Sequence, residues 1–93
     1  MLNKHITNTK KNKEFIDTVQ EIIEYLNHKA SKNFKATTAT TKRLINERIT
    51  EGYIIKDFKR VIDNKVKQWI HDLKMNKYLQ PNTLFNLNKF RDP

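Results

Sequence analysis

Residues 58–73 read Phe58-Lys-Arg-Val-Ile-Asp-Asn-Lys-Val-Lys-Gln-Trp-Ile-His-Asp-Leu73. Large apolar side chains recur in this stretch at steps of four, four, three and four residues, the spacing that aligns side chains on one face of an α-helix. The pattern predicts a central helix whose buried face consists of Phe58, Ile62, Val66, Trp69 and Leu73. Three cations fall on its opposite face, namely Lys56, Arg60 and Lys67. We expect the rest of the chain to cover the apolar face.

Helical periodicity continues on both sides of this central stretch. Residues 13–30 and 38–51 each place aliphatic side chains on one face, and Pro81 opens a short apolar segment near the C-terminus. A chain of 93 residues with one Gly and two Pro forms one small domain with a modest core. The sequence therefore predicts an all-α fold, a small bundle of three main helices plus short C-terminal helical turns. Residues 1–12 are expected to be a flexible basic lead-in and residues 13–93 a single helical domain.

The sequence offers little material for catalysis or for binding a cofactor. His5, His28 and His71 lie far apart and lack the spacing of metal ligands, and the chain has no Cys. One Gly cannot build a phosphate-cradling loop or a dinucleotide fingerprint. No apolar run reaches the roughly 20 residues that span a bilayer. We therefore expect a cytoplasmic protein that is not an enzyme, has no metal site, cofactor or disulfide, and does not enter a membrane.

The net charge of +9 favours a polyanionic partner, with nucleic acid ahead of an anionic membrane. An ordinary solvated basic surface is the alternative. Residues 29–67 carry eleven basic and four acidic groups, so the positive charge is concentrated in the middle of the chain. On the second helix, Arg48 is expected to face outward together with Lys42 and Arg43. A DNA-binding surface would use Lys42, Arg43, Lys56, Lys59, Arg60 and Lys67.

The first helix has the opposite charge. Residues 14–28 contain four acidic residues and no Lys or Arg. These acids recur at steps of three, four and three, which places them on one stripe of the helix. We call Glu14, Asp17, Glu21 and Glu24 the acidic stripe. It is either a solvated face or a docking strip for a basic partner protein.

The C-terminal segment is unusually apolar for its length, with Leu84, Phe85, Leu87 and Phe90 close together. It either wraps back onto the core, which is the favoured interpretation, or forms an adhesive patch for another chain. In the second case Leu84, Phe85 and Phe90 would provide the apolar centre of an interface and the acidic stripe its charged rim.

Six short blocks of sequence occur in order between about residues 20 and 90. They are Glu21-Ile-Ile-Glu-Tyr-Leu-Asn27, Lys32-Asn-Phe-Lys35, Glu51-Gly-Tyr53, Asp57-Phe-Lys-Arg-Val-Ile-Asp-Asn-Lys-Val-Lys-Gln-Trp69, Lys77-Tyr-Leu-Gln-Pro81 and Thr83-Leu-Phe85. Together they resemble the conserved C-terminal domain of phage replisome organisers, relatives of the DnaD primosomal proteins of Gram-positive bacteria. The resemblance implies a small helical module that follows an N-terminal DNA-binding domain. Such a module helps to recruit the host helicase loader and the replicative helicase to a phage origin.

One part of the resemblance bears on DNA. The spacing Ile62-x-x-x-Val66-x-x-Trp69 resembles a Tyr-x-x-x-Ile-x-x-Trp signature that is tied to DNA binding among DnaD proteins. Ile62 replaces the Tyr and removes a ring that could stack on a base. Three more positions depart from the pattern of the family, with Ser31 for a usual Gly, Ala36 for a usual Pro and Ile54 for a usual capping Thr.

Two functions follow from the resemblance and the charge pattern. The first is binding to the host helicase loader, an AAA+ ATPase, or to the replicative helicase in the host cytoplasm. Because the chain starts at Met1 with no winged-helix domain ahead of the module, a free-standing copy is expected to block or hijack helicase loading. The second is a DNA-binding accessory module of a phage replication initiator. The acidic stripe and the apolar segment favour the first function, since neither has a use on DNA; self-association stays open.

Overall fold

The computed structural model describes the backbone of residues 2–91 and the side chains of residues 13–91. Its elements, in chain order, are α1 (Leu2–Ala30), α2 (Ala39–Thr50), α3 (Ile55–Trp69), a 3₁₀ turn (Asn76–Tyr78), α4 (Pro81–Leu84) and α5 (Leu87–Phe90). Residues 2–91 contain no β-strand. The predicted all-α class, with three main helices and short C-terminal turns, is confirmed.

The ends of the main helices follow local chemistry. α1 stops where Ser31 adopts a left-handed φ of 55°, and the N–H of Lys32 donates to the carbonyl oxygen of Asn27 at 3.0 Å. Gly52, with a φ of 105°, follows α2 in the same way. The backbone of α1 is already helical at Leu2, well ahead of the predicted start near Lys13. The side chains of residues 1–12 lie outside the described part, so the flexibility predicted for them stays a prediction.

The core forms where α1 and α3 lie side by side. The two helices run in the same direction, because Glu21 contacts Lys59 and Tyr25, one turn further along α1, contacts Asp63, one turn further along α3. Apolar side chains from all three main helices fill the space behind these contacts. The completely buried ones are Ile22 and Leu26 of α1, Ile45 of α2, and Phe58 and Ile62 of α3.

The C-terminal segment wraps back onto this core. Leu84 and Phe85 are completely buried and Phe90 is 5% exposed. The ring of Phe58 meets those of Phe85 and Phe90 edge-on, with centroids 5.4 and 4.9 Å apart. The prediction that Leu84, Phe85 and Phe90 form a surface for a partner protein is therefore wrong. Helices of four residues are unstable in water without packing. These side chains therefore stabilise the two short helices by packing in the core of the domain.

Arg48 is buried as well, contrary to the expectation that it faces outward. Its side chain is 4% exposed. One guanidinium nitrogen, Nη1, donates to the carbonyl oxygen of Phe85 at 3.0 Å, and Nη2 forms an ion pair with Glu51 at 2.8 Å. Arg48 thus joins the end of α2 to the turn between α4 and α5, because it supplies a hydrogen-bond donor to the Phe85 carbonyl oxygen.

The predicted buried face of α3 is right at four positions and wrong at the fifth. Phe58 and Ile62 are completely buried, Trp69 is 9% exposed, and Val66 packs against the core. Leu73 is fully exposed.

The helix ends before it reaches Leu73. The carboxylate of Asp72 accepts hydrogen bonds from the N–H groups of Lys74 and Met75 at 2.8 and 2.9 Å. This local turn competes with continuation of the helix and directs Leu73 into solvent.

Trp69 and Leu73 should therefore respond differently to truncation. We expect Trp69→Ala to lower the free energy of unfolding by roughly 3–5 kcal/mol, because it removes a large buried ring. Leu73→Ala should change it by less than about 0.5 kcal/mol, as an exposed position does. Urea denaturation followed by circular dichroism measures both. Equal losses for the two variants would contradict the placement of the end of α3.

A second pair of variants tests the role of Arg48. Arg48→Met should lower the free energy of unfolding by about 1–3 kcal/mol, because the Phe85 carbonyl oxygen loses its buried donor. Arg43→Met on the same helix is the matched control. Arg43 is exposed and pairs with Glu47 at 3.1 Å, so its loss should cost about 0.5 kcal/mol or less. Similar denaturation midpoints for Arg48→Met and Arg43→Met would contradict the structural role of Arg48.

Candidate partner-binding surface

All four residues of the acidic stripe are exposed on the side of α1 that faces away from the core. Glu21 forms an ion pair with Lys59 of α3 at 2.9 Å, and Glu24 accepts a hydrogen bond from Gln20 at 2.9 Å. Glu14 and Asp17 form no ion pair with a described Lys or Arg. The stripe is therefore a charged surface at its N-terminal end and is partly neutralised by α3 further along. Its role in partner binding stays a prediction.

An apolar groove of about 420 Å³ opens beside the acidic stripe. Thr18 of α1 forms one wall, and Glu14 and Glu21 lie about one turn before and after it on the same side of the helix. The hydroxyl of Thr18 donates to the carbonyl oxygen of Glu14 at 2.8 Å, so it presents little polarity to the groove. The remaining walls come from the end of α2 and the start of α3. We call the space between Thr18, Ile49, Tyr53, Ile54, Ile55 and Lys56 the α1–α3 groove.

Ile54 is the most exposed apolar side chain of the groove, at 59%. It occupies the N-cap position of α3 with an extended backbone and has no atom that could accept a hydrogen bond. Asp57 compensates, since its carboxylate accepts from the N–H of Ile54 at 2.8 Å. The backbone of this turn is thus held by Asp57, and the Ile54 side chain projects outward without a role in capping. An isoleucine presented in this way is available to an apolar partner.

The groove is confined to one end of the contact between α1 and α3. Further along, the hydroxyl of Tyr25 donates to the carboxylate of Asp63 at 2.7 Å, and the ammonium of Lys59 lies 5.1 Å from the centre of the Tyr25 ring. The hydrogen bond to Asp63 raises the pKa of Tyr25 above its ordinary value, because the carboxylate accepts from the protonated phenol. These polar contacts cover the boundary between α1 and α3 at this level, whereas the apolar groove lies at the start of α3.

A second apolar cleft lies on the other side of the stripe. It has a volume of about 150 Å³ and is lined by side chains that include Phe15, Ile16 and Val19 of α1. Ile16 is 55% exposed. The acidic stripe therefore runs between two apolar openings. Polar groups bordering apolar ones are the usual arrangement of a protein–protein interface.

Only part of the predicted DNA-binding set is available to phosphates. Three of its six members pair with carboxylates: Arg43 with Glu47 at 3.1 Å, Lys59 with Glu21 at 2.9 Å, and Arg60 with Asp57 at 2.8 Å. Lys42, Lys56 and Lys67 are exposed and form no ion pair with a described acid. Since the paired carboxylates offset half of these cations, the surface attracts phosphates less than the sequence suggests.

Two other expectations concern metals and membranes. Among the side chains of residues 13–91, no three His, Asp or Glu residues are placed so that they could hold a metal ion. The side chain of His5 is not among those that the structure describes. Within residues 2–91 there is also no helix with the length and apolar character needed to cross a bilayer.

Comparison with known proteins identifies the family. The chain matches the model of the conserved phage C-terminus family over residues 22–92, which is most of its length, and it belongs to that family. No curated protein and no solved structure matches it. The matched region includes α2, α3 and the C-terminal segment, and it contains every wall of the α1–α3 groove except Thr18. Glu14, Asp17 and Glu21 precede the matched region.

The sequence contained a signal for this groove. Tyr53-Ile54-Ile55 places three large apolar residues in a tight connection between two helices, where polar residues are usual. Periodicity does not reveal their exposure, because Tyr53 and Ile54 precede α3 and Ile55 is its first residue. The acidic stripe, by contrast, could be predicted from the spacing of its four acidic residues along one helix.

The basic face of α3 can be tested against DNA directly. If it binds phosphates, changing Lys56, Arg60 and Lys67 together to Glu should abolish a low-salt gel shift. The matched control changes Lys13, Lys29 and Lys74, which are also exposed, to Glu and alters the net charge equally. We expect the control to retain most of the shift. An unchanged shift for the α3 variant would exclude this face, and equal losses for both variants would show that net charge is responsible.

Proposed function

We propose that this domain is the protein-interaction module of a phage replication protein and that it binds the host helicase loader, an AAA+ ATPase. The binding surface is the α1–α3 groove together with the acidic stripe. One observation carries the proposal: Ile54 is 59% exposed in an apolar groove whose α1 wall, Thr18, lies between the exposed carboxylates of Glu14 and Glu21. The module itself has no enzymatic role in this proposal.

The shape and the charge of this surface describe its ligand. A groove lined by isoleucine and tyrosine side chains suits a short segment with one or two large apolar side chains. Carboxylates on the rim select cationic residues beside those anchors and speed encounter with them. The expected ligand is therefore a basic, amphipathic segment of a partner protein.

The family and the sequence resemblance support the choice of partner. The chain belongs to a phage family, and its six sequence blocks resemble replisome organisers, whose C-terminal domains act with the host loader and helicase. An AAA+ loader works as stacked subunits that present basic groups to one another. A domain with an acidic stripe is complementary to that surface. We expect occupation of it to hinder stacking, so that helicase loading falls; the replicative helicase is the second partner to test.

DNA binding through the α3 face is the weaker candidate. Half of its predicted cations are paired with carboxylates, and neither the exposed Ile54 nor the acidic stripe has a use on a phosphate backbone. The salt dependence separates the two functions. Phosphate-dominated binding falls steeply between about 50 and 200 mM salt, whereas a mainly apolar protein interface is much less affected.

Titration of the domain into purified loader tests the proposal. We expect calorimetry to detect binding that Ile54→Asp weakens at least tenfold, about 1.4 kcal/mol, mainly through faster dissociation. Ile54 is exposed, so this variant should fold normally. Leu73→Asp is the matched control, because Leu73 is also exposed and lies outside the groove.

The acidic stripe has a different expected signature. Glu14→Lys with Asp17→Lys should mainly slow association, as charges on a rim do, and leave the dissociation rate nearly unchanged. Glu21 is left intact in this variant because its reversal would also break the ion pair with Lys59. Absence of binding heat and of any effect on helicase loading at tens of micromolar would contradict the proposal. So would equal losses for Ile54→Asp and Leu73→Asp.

A further inference from the structure

A small cavity of about 160 Å³, lined by both polar and apolar side chains, lies at the N-terminal end of α2. Its walls come from the loop before α2, from the first turn of α2 and from the start of α4. None of the residues that line it is acidic, and Lys35 contributes a positive charge. The α1–α3 groove, in contrast, includes Ile49 near the other end of the same helix.

The first turn of α2 presents unused hydrogen-bond donors. The N–H groups of Ala39, Thr40 and Thr41 donate to no residue that the structure describes, whereas that of Lys42 donates to the Thr38 carbonyl oxygen at 3.0 Å. The side chain of Thr38, at the N-cap position, makes no capping hydrogen bond. Free N–H groups and the positive end of the helix dipole both favour an anion at this place.

Thr41 gives a second, independent indication. It lines the cavity and is 4% exposed, yet its hydroxyl makes no hydrogen bond to any described residue. Thr18, which also lies within a helix, donates to the carbonyl oxygen four residues earlier at 2.8 Å. Because the Thr41 hydroxyl forms no such bond, it is free to donate to a ligand that enters the cavity.

We propose that this cavity binds one phosphate group of a nucleic-acid strand. The N–H groups of the first turn and the Thr41 hydroxyl donate to the phosphate oxygens, and Lys35 offsets the charge. Asn82, at the start of α4, lines the same cavity and offers a further amide donor. The net charge of +9 favours a nucleic acid as the source of the phosphate over a phosphorylated protein. This site is separate from the basic face of α3 and from the α1–α3 groove, so it does not depend on loader binding.

Nuclear magnetic resonance of the isotopically labelled protein tests the site. A short thymidine oligonucleotide, a phosphoserine peptide, sodium phosphate and sodium chloride are titrated at matched ionic strength. We expect the amide signals of Ala39, Thr40 and Thr41 to shift and saturate with the oligonucleotide and with phosphate, but not with chloride.

Two variants locate the binding and two serve as controls. Thr41→Val removes the hydroxyl at nearly constant shape, and Lys35→Ala removes an exposed charge. Each should weaken oligonucleotide and phosphate binding roughly threefold to tenfold. Thr50→Val, at the other end of α2, and Lys74→Ala, in the turn after α3, should leave the binding constants within about twofold. Because Lys35 is exposed, its variant stays informative if Thr41→Val lowers the melting temperature.

Three outcomes would overturn the proposal. Amide signals of residues 39–41 that do not move with phosphate would exclude an anion at this site. Equal affinities for Thr41→Val, Lys35→Ala and the unmodified protein would show that these groups do not bind it. Shifts with phosphate or with a phosphoserine peptide, but none with the oligonucleotide, would exclude nucleic acid as the source.

Discussion

The packing of the C-terminal segment against Phe58 is the interaction on which the described structure depends. Phe85 and Phe90 contact the Phe58 ring edge-on, and Tyr53 meets Phe90 with centroids 4.8 Å apart. Each contact joins residues far apart in the chain, so the segment cannot leave without exposing the centre of α3. The two short helices, in turn, would not persist without this core. Arg48 strengthens the arrangement from α2, because it supplies the donor that the buried Phe85 carbonyl oxygen requires.

This use of the C-terminal segment determines where apolar side chains are exposed beside the acidic stripe. With Leu84, Phe85 and Phe90 inside the domain, the apolar surface beside the acidic stripe has to come from elsewhere. It comes from the start of α3, where Asp57 caps the helix and Ile54 is left projecting into solvent. The parallel packing of α1 and α3 brings this turn next to Thr18, between Glu14 and Glu21. The proposed partner surface thus arises from a capping arrangement rather than from an apolar tail.

The two proposed sites lie toward opposite ends of α2 and have opposite chemistry. A helix of 12 residues is about 18 Å long. The N-terminal end of α2 contributes Thr38 and Thr41 to the small cavity, and its C-terminal part contributes Ile49 to the apolar groove. The separation allows both sites to be occupied at once. A domain that holds a protein partner at one end and a nucleic-acid phosphate at the other, as the two proposals have it, would bring the two together.

Periodicity and composition were sufficient for the all-α class, the three main helices, the buried positions of Phe58, Ile62 and Trp69, and the exposure of the acidic stripe. Those features follow from spacing along a single helix, which the sequence displays directly. Tertiary structure decided the rest. Leu73 became exposed because Asp72 favours a local turn over continuation of the helix. Arg48 became buried because a carbonyl group on a distant segment, 37 residues away, needed a donor. The groove at Ile54 and the cavity at Thr41 each combine residues from separate helices, and no pattern within one helix encodes how those helices meet.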